Sequence, residues 1–300
     1  MRLSVAAVLV AAVAVATAQQ KGPEDAPSSV LIRITDRREV GSHHLNPAAI
    51  RVSGRRDAFS SVAIEVVVDR DGNVIAVEAS ERYRSRNADR AAVAEKYKDA
   101  ALAEARNWHY KPFERNGKPV PATFVDFVRL LPPERTPQRH VDFPEVSDWN
   151  SLRMSLTRTP CFGSCPSYTD EIRGDGSLTF TGKGWVTMRG EYHSRISQDA
   201  VRQILEAFRA ADYFSLDNEY RYPVTDNPTY VTSISFNGAE KSVTDYVGEE
   251  VGMPSSVTAL ELAIDRLSGT DKWVTGNGET VSNPETRPLI KTASSGDEQP

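Results

Sequence analysis

Two cysteines occur in 300 residues, and both lie in one short stretch, Thr159-Pro160-Cys161-Phe162-Gly163-Ser164-Cys165-Pro166. Four chemistries fit two thiols placed this way. A disulfide would close a tiny loop and contribute only ~2 kcal/mol by chain entropy. A redox-active dithiol usually has two intervening residues and a helix N-terminus that lowers the thiol pKa; here three residues intervene, between strand-like runs. Zinc wants four ligands, commonly in paired short spacings, so two thiolates would need distant partners. A reduced, unpaired pair is the fourth state. The disulfide, Cys161 to Cys165, is the expectation.

The other chemistry-bearing residues form weaker patterns. The five histidines are His43, His44, His109, His140 and His193, with no HExxH or H-x3-H spacing, so no metal site is expected. Adjacent His43 and His44 are expected to be solvent-exposed. Glu171, Asp175, Asp226 and Asp245 could pair for acid–base work if folding brought them together, but turn capping and surface charge explain such residues as well. There is no G-x-S-x-G elbow and no phosphate-binding glycine loop. Gly182-Lys183-Gly184 lacks both the preceding glycine and the following helix. No catalytic residue and no cofactor is assigned.

Compartment follows from the start of the chain. Arg2, the apolar run Leu3 to Val15 and the small-x-small Ala16-Thr17-Ala18 read as a signal peptide cleaved after Ala18. Its removal leaves 35 basic against 41 acidic residues, a net charge near -6. An acidic chain argues against nucleic acid as a partner, and no further run is long enough to span a bilayer. A periplasmic or secreted protein is expected, without stable membrane insertion after cleavage and in conditions that favour disulfides.

Periodicity supplies the elements that position these residues. After a polar lead (19–29), Val30 to Ile34 reads as a short strand and Arg37 to Asn46 as a polar connection. Val62, Ile64, Val66 and Val68 alternate with less apolar positions, Asp69 to Asn73 is rich in turn formers, and Val74 to Val77 returns, a β-hairpin. Ala91 to Asn107 reads as one helix with Val93, Tyr97, Ala101 and Ala105 on a face. Trp108 to Phe113 and Ala122 to Val128 form strands around a turn at Asn116-Gly117. Trp108, Tyr110 and Phe113 could form an aromatic docking surface or pack the sheet onto the helix.

Residues 133–149 form a proline-rich linker. Beyond it, Leu152–Arg158, Tyr168–Ile172, Leu178–Gly182 and Trp185–Met188 suggest an antiparallel meander. Ser197 caps a helix through Ala211 with Val201, Ile204, Leu205 and Phe208 on its apolar face. Thr229 to Phe236 and Ala239 to Tyr246 pair around Asn237-Gly238. Ser255 or Ser256 caps a second helix bearing Val257, Leu260, Ile264 and Leu267, which stops at Gly269. Trp273 covers one end of the core. Tyr220 and Tyr222 belong to a polar, aromatic loop that could bind a partner. The tail, 275–300, reads as disordered.

The stretches Val66-Val67-Val68-Asp69-Arg70-Asp71-Gly72-Asn73-Val74, Ala101 to Phe113 and Asn116-Gly117-Lys118-Pro119-Val120 resemble, in that order, the TonB C-terminal domain family over about residues 55–132. The resemblance implies an antiparallel sheet with a packed helix and contact with protein or peptide by strand addition. The cleavable signal and the lack of a long proline-rich spacer depart from an energy transducer. Cys161 to Tyr168, Gly174-Asp175-Gly176, Tyr213 to Leu216, Thr225 to Thr229 and Asp245-Tyr246 resemble an uncharacterised bacterial envelope domain family over about residues 150–274.

The expected fold class is α+β, with two small domains (30–132 and 150–274), each an antiparallel sheet with one or two packed helices. The expected function is a non-catalytic binding or scaffolding protein of the bacterial envelope with a protein or peptide partner. The alternatives are a thiol–disulfide oxidoreductase or hydrolase centred on the second domain, or a TonB-type transducer if the N-terminus is an uncleaved anchor.

Overall fold

The computed structural model describes residues 31–54 and 59–275; the expected signal segment, the lead and the tail beyond residue 275 lie outside the described residues. The fold is α+β, with two main sheets and two large apolar cores.

The first sheet is built on the hairpin of β3 (Ser60–Val68) and β4 (Val74–Ala79). Asp69 makes the turn: its carboxylate accepts the backbone N–H groups of Asp71 and Asn73, both at 2.9 Å. Gly72 follows at φ 84°, where L side chains are strained. Its carbonyl accepts the Tyr110 N–H at 3.0 Å, and a Cβ on Gly72 would run into the Tyr110 carbonyl. β7 (Ala122–Leu131) lies antiparallel beside β3. It pairs in parallel with β1 (Ile32–Arg33) and β2 (Ala49–Arg51). Period-2 alternation sends Ile64, Val66, Phe124 and Val128 into the core.

The helix expected over 91–107 is two helices, α2 (Ala88–Lys96) and α3 (Lys98–Ala105). The break falls at Tyr97 (φ -107°, ψ 14°), whose hydroxyl donates to the Ser53 carbonyl at 2.8 Å. Ala101 and Ala105 are fully buried, so α3 can approach the sheet closely. The polar connection after β1 is also a helix, α1 (Arg37–His43), capped by the Asp36 carboxylate on the Arg38 N–H. β5 (Phe113–Arg115) and β6 (Lys118–Val120) form a small separate hairpin.

The second sheet has seven strands in the order β11-β10-β9-β8-β13-β14-β12. These are β8 (Arg153–Arg158), β9 (Ser167–Arg173), β10 (Ser177–Gly184), β11 (Gly190–Arg195), β12 (Glu219–Arg221), β13 (Tyr230–Phe236) and β14 (Ala239–Tyr246). Neighbours are antiparallel except β12 and β14. Two helices join its core: α4 (Gln198–Ala210), capped by Ser197, and α5 (Ser255–Ser268). Pro254, not a serine, occupies the N-cap position of α5, and the Glu134 carboxylate accepts the Ser255 N–H at 2.9 Å. Gly269 ends α5 in the left-handed conformation, as expected.

Trp185 to Met188 is not a strand. The Thr187 and Met188 N–H groups donate instead to Val274 and Trp273 at the end of α6 (Asp271–Thr275), and the edge strand β11 starts later. The segment 133–149 lies against the second half, with Val146 buried and Phe143 packed on the same core.

Gly72→Ala should destabilise the first half by roughly 2–4 kcal/mol, because both φ and space oppose a Cβ there. Urea unfolding of the variant checks this; a loss below about 0.5 kcal/mol would show that the turn relaxes freely.

Candidate functional site

The residues able to do chemistry gather where β8 leaves the sheet and β9 re-enters it, either side of the cysteine loop. Strand register builds the site row by row. The row nearest the loop reads Asp245, Tyr230, Arg158 and Tyr168 across β14, β13, β8 and β9. The next row reads Val243, Thr232, Leu156 and Asp170. Polar side chains therefore occupy inward positions that alternation would give to apolar ones.

Helix α5 closes over them. Arg158 Nη2 donates to Asp265 Oδ2 at 2.7 Å, and the Tyr168 hydroxyl donates to Asp265 Oδ1 at 2.7 Å. The Arg158 guanidinium carbon lies 4.1 Å from the centre of the Tyr230 ring. The Thr270 hydroxyl donates to Asp170 Oδ2 at 2.6 Å, and Ser268 lies 2.9 Å from Thr270. Arg158, Tyr168, Asp170, Glu261 and Asp265 are all buried. Asp170 Oδ1 and Arg158 Nε have no hydrogen-bond partner among the described residues.

Four carboxyl groups, of Asp170, Asp245, Glu261 and Asp265, share this region with one guanidinium. Burial pushes Asp170 up to about 8; hydrogen bonds from Thr270 and Ser268 and the charge of Arg158 pull against it, while Asp265 adds repulsion. Burial likewise raises Asp245 to about 6, against the stabilising Gly248 N–H. Glu261 is driven well above the carboxylate range by burial and by repulsion from Asp245 and Asp265, with Arg158 opposing. The cluster thus combines an ion pair with carboxyl groups that retain protons near neutrality. Such a pairing can move protons, but with these side chains enclosed it holds α5 to the sheet and meets no substrate in this conformation.

Above the cluster stands the cysteine loop. Cys161 and Cys165 form the expected disulfide, with Cα atoms 5.6 Å apart. Thr159 and Thr229 exchange two hydrogen bonds, the backbone N–H of Thr159 to the Thr229 carbonyl at 2.9 Å and the Thr229 N–H to the Thr159 hydroxyl at 2.8 Å. The Phe162 N–H donates to the Asp226 carbonyl at 3.2 Å. The backbone is held on both sides, yet the Phe162 side chain is 89% exposed.

The aromatic docking surface is not formed. Trp108, Tyr110 and Phe113 are buried in the first core, where Tyr110 packs on Phe124 with ring centres 4.8 Å apart. Helix α3 and β7 close over them, so they pack the sheet. Tyr220 is buried in the second core as well; Tyr222 is half-buried, its ring 5.8 Å from that of Phe59. His44 is not solvent-exposed either. Its Nδ1 lies 2.9 Å from Asp126 Oδ2, which also accepts the Tyr110 hydroxyl at 2.9 Å. The outward-facing acids Glu171, Asp175 and Asp226 stay apart; only Asp245 joins the buried cluster. Arg158, Asp170, Glu261 and Asp265 were not among the residues singled out from sequence. Their signal was available: Arg158 and Asp170 fall in phase with Leu156 and Ile172, and Glu261, Asp265 and Ser268 share one face of α5 at helical spacing.

Because Asp170 holds its proton in the folded state up to pH about 8 and releases it near 3.8 when unfolded, the folded state binds more protons between those values. Its contribution to stability is fully present below the unfolded pKa and lost as pH rises through the folded one. Asp170→Asn, a neutral mimic of the protonated acid, should remove up to ~1.4 kcal/mol per pH unit from the fall in stability between pH ~6 and ~7.5. Unfolding free energies of both proteins across that range check this; an unchanged slope would show that Asp170 is ionised.

Residues 152–268 match the family described as Domain of unknown function (DUF6438), a span that holds the disulfide loop and every strand and helix of the buried cluster and leaves only Thr270 of it outside. The chain has no match among the curated proteins.

Proposed function

We propose that this chain is a non-catalytic binding or scaffolding protein of the bacterial envelope, exported to the periplasm or beyond, that grips a protein partner with the disulfide loop of its second half. The observation that carries this reading is Phe162. A large apolar side chain, 89% exposed, stands at the tip of a loop closed by Cys161 and Cys165 and tied to residue 226. Ordering a loop in advance reduces the entropic cost of binding, and an aromatic anchor is a common centre of binding energy. The buried Arg158–Asp265–Tyr168 contact beneath supports this role by fixing both strands from which the loop springs.

Two further features support binding over catalysis. Strands β8 and β9 flank the cysteines, so neither sulfur has the helix N-terminus that would activate a redox thiol. The TonB C-terminal-like pattern of the first half suits peptide contact: β4 ends its sheet with Ile75 63% exposed, where an added strand could pair.

A photo-crosslinking residue at position 162 should give a discrete adduct in intact cells, and one at exposed Lys183 should not. The adduct should fall several-fold when Cys161 and Cys165 are both replaced by serine, which frees the loop. Equal labelling from positions 162 and 183, or none from either, would overturn the reading.

A further inference from the structure

The second sheet has two edges, and they are not alike. β12, at one edge, is three residues long and offers little to another strand. β11, at the other, has six residues, Gly190–Arg195, and β10 is its one strand partner among the described residues. The phase of its main chain follows from one hydrogen bond. The Ile196 N–H donates to the Gly176 carbonyl at 2.9 Å, and antiparallel ladders alternate residue by residue. Ser194, Tyr192 and Gly190 therefore turn their N–H and C=O groups to β10. Glu191, His193 and Arg195 turn theirs outward, where no strand meets them among the described residues.

The side chains of these outward residues share one face. Tyr192, between them, leans on Trp273 at the core. Glu191, His193 and Arg195 lie on the opposite, open face, where His193 Nδ1 is 3.2 Å from the Thr179 hydroxyl and Arg195 donates to the Ser177 hydroxyl at 3.4 Å. All three are exposed. Charged side chains on an edge strand normally keep other strands away. Here the order acid, histidine, base is its own complement when the strand is reversed.

We propose that β11 pairs antiparallel with β11 of a second copy of this chain, about a two-fold axis at His193, so that two chains share one continuous sheet. That register sets Glu191 opposite Arg195 of the second copy and Arg195 opposite its Glu191, while His193 faces its own counterpart. Each outward residue then exchanges two main-chain hydrogen bonds with the residue opposite. Opposite charges directly across the strands add to the pairing. A register slipped to set His193 against Arg195 loses both ion pairs. A strand of unrelated sequence meets the same charges unmatched, so the pattern favours a second copy over a foreign peptide. The interface is isologous and closes at two chains. It is independent of the Phe162 loop, which joins β8 to β9 further into the sheet.

Sedimentation equilibrium of the purified protein from ~2 to ~300 μM should show monomer passing to dimer, because a small edge-to-edge interface associates weakly. Glu191→Arg and Arg195→Glu should each weaken the dimer about tenfold or more. The two exchanges combined should restore it to within about threefold, since the residues act as one pair. Glu114→Arg, the same charge change on the separate β5–β6 hairpin, should leave it unchanged. All these positions are exposed, so the variants should fold, and matching urea unfolding curves confirm it. Amide hydrogen exchange locates the contact: the N–H groups of Glu191, His193 and Arg195 should exchange more slowly as concentration rises, while those of Tyr192 and Ser194 stay slow throughout. Monomer at every concentration, a dimer indifferent to the single reversals, or no recovery in the combined variant would each overturn the proposal. So would protection of the three amides that does not change with concentration, which would show the edge covered from within the same chain.

Discussion

The second half depends on one buried ion pair. Taking the Arg158 guanidinium and the Asp265 carboxylate out of water costs several kcal/mol per ion, and only close geometry with satisfied oxygens offsets that. Asp265 meets the requirement: Arg158 takes one oxygen and Tyr168 the other, both at 2.7 Å. Tyr230 covers the guanidinium face. Three adjacent strands and α5 are thereby tied at one point. Removing either charged partner would strand the other in the core, a loss of ~3–5 kcal/mol. Position explains the arrangement, because Arg158 ends β8 and Tyr168 is the second residue of β9, on either side of the cysteine loop. The disulfide closes the loop at its tip and the ion pair holds it at its base.

One guanidinium cannot balance four carboxyl groups, so part of the cluster must be neutralised by protons. Burial does this for Asp170 and Glu261, whereas Asp245, raised only to about 6, accepts the Gly248 N–H at 2.6 Å. The protonated acids then behave as polar packing groups, and the hydroxyls of Ser268 and Thr270 bring the end of α5 down onto β9. The first half solves a similar problem differently. There Asp126 lies under His44 and Tyr110, and its second oxygen accepts the Phe127 N–H at 2.7 Å. That carboxylate is answered by donors on three sides.

Much of this layout was legible in the residues, and the exceptions have identifiable causes. The hairpin at Asp69–Asn73, the pair around Asn237-Gly238, the Ser197 cap and the Gly269 stop were each read from local chemistry, and local chemistry decides them. The helix break at Tyr97 was not legible, because its hydroxyl is drawn to Ser53, a partner 44 residues away. The missing strand at Trp185–Met188 failed for the same reason: its N–H groups pair with Trp273 and Val274. The buried cluster escaped for a different reason. Arg158, Asp170 and Asp265 read singly as surface charges, and only their phase with the apolar alternation marks them as inward. Exposure of Trp108 and Tyr110 was a matter of which face of a short segment met the helix, and aromatic composition alone does not specify that.

The junction between the halves bears on how two binding surfaces could work together. Arg51 donates to the carbonyls of Pro132 and Met253 and pairs with Glu134 at 3.0 Å. Arg129 pairs with Glu249 at 2.8 Å, and the Phe59 N–H reaches Glu250 at 3.1 Å. The Arg135 N–H donates to the Gly252 carbonyl at 2.7 Å, and Gly252 stands at φ 84° where a Cβ would crowd Pro133. These contacts join β2 and β7 to the turn before α5, so the connecting segment runs as a packed strap. Polar interfaces of this kind usually allow some domain motion. Here, however, the charged residues are tied to backbone carbonyls and amides as well as to each other, and a shift would leave several donors unmet together. The edge strand β4 and the loop bearing Phe162 are consequently carried on one connected framework. A protein partner that engaged both would meet them at a fixed separation, and the second contact would form at high effective concentration once the first was made.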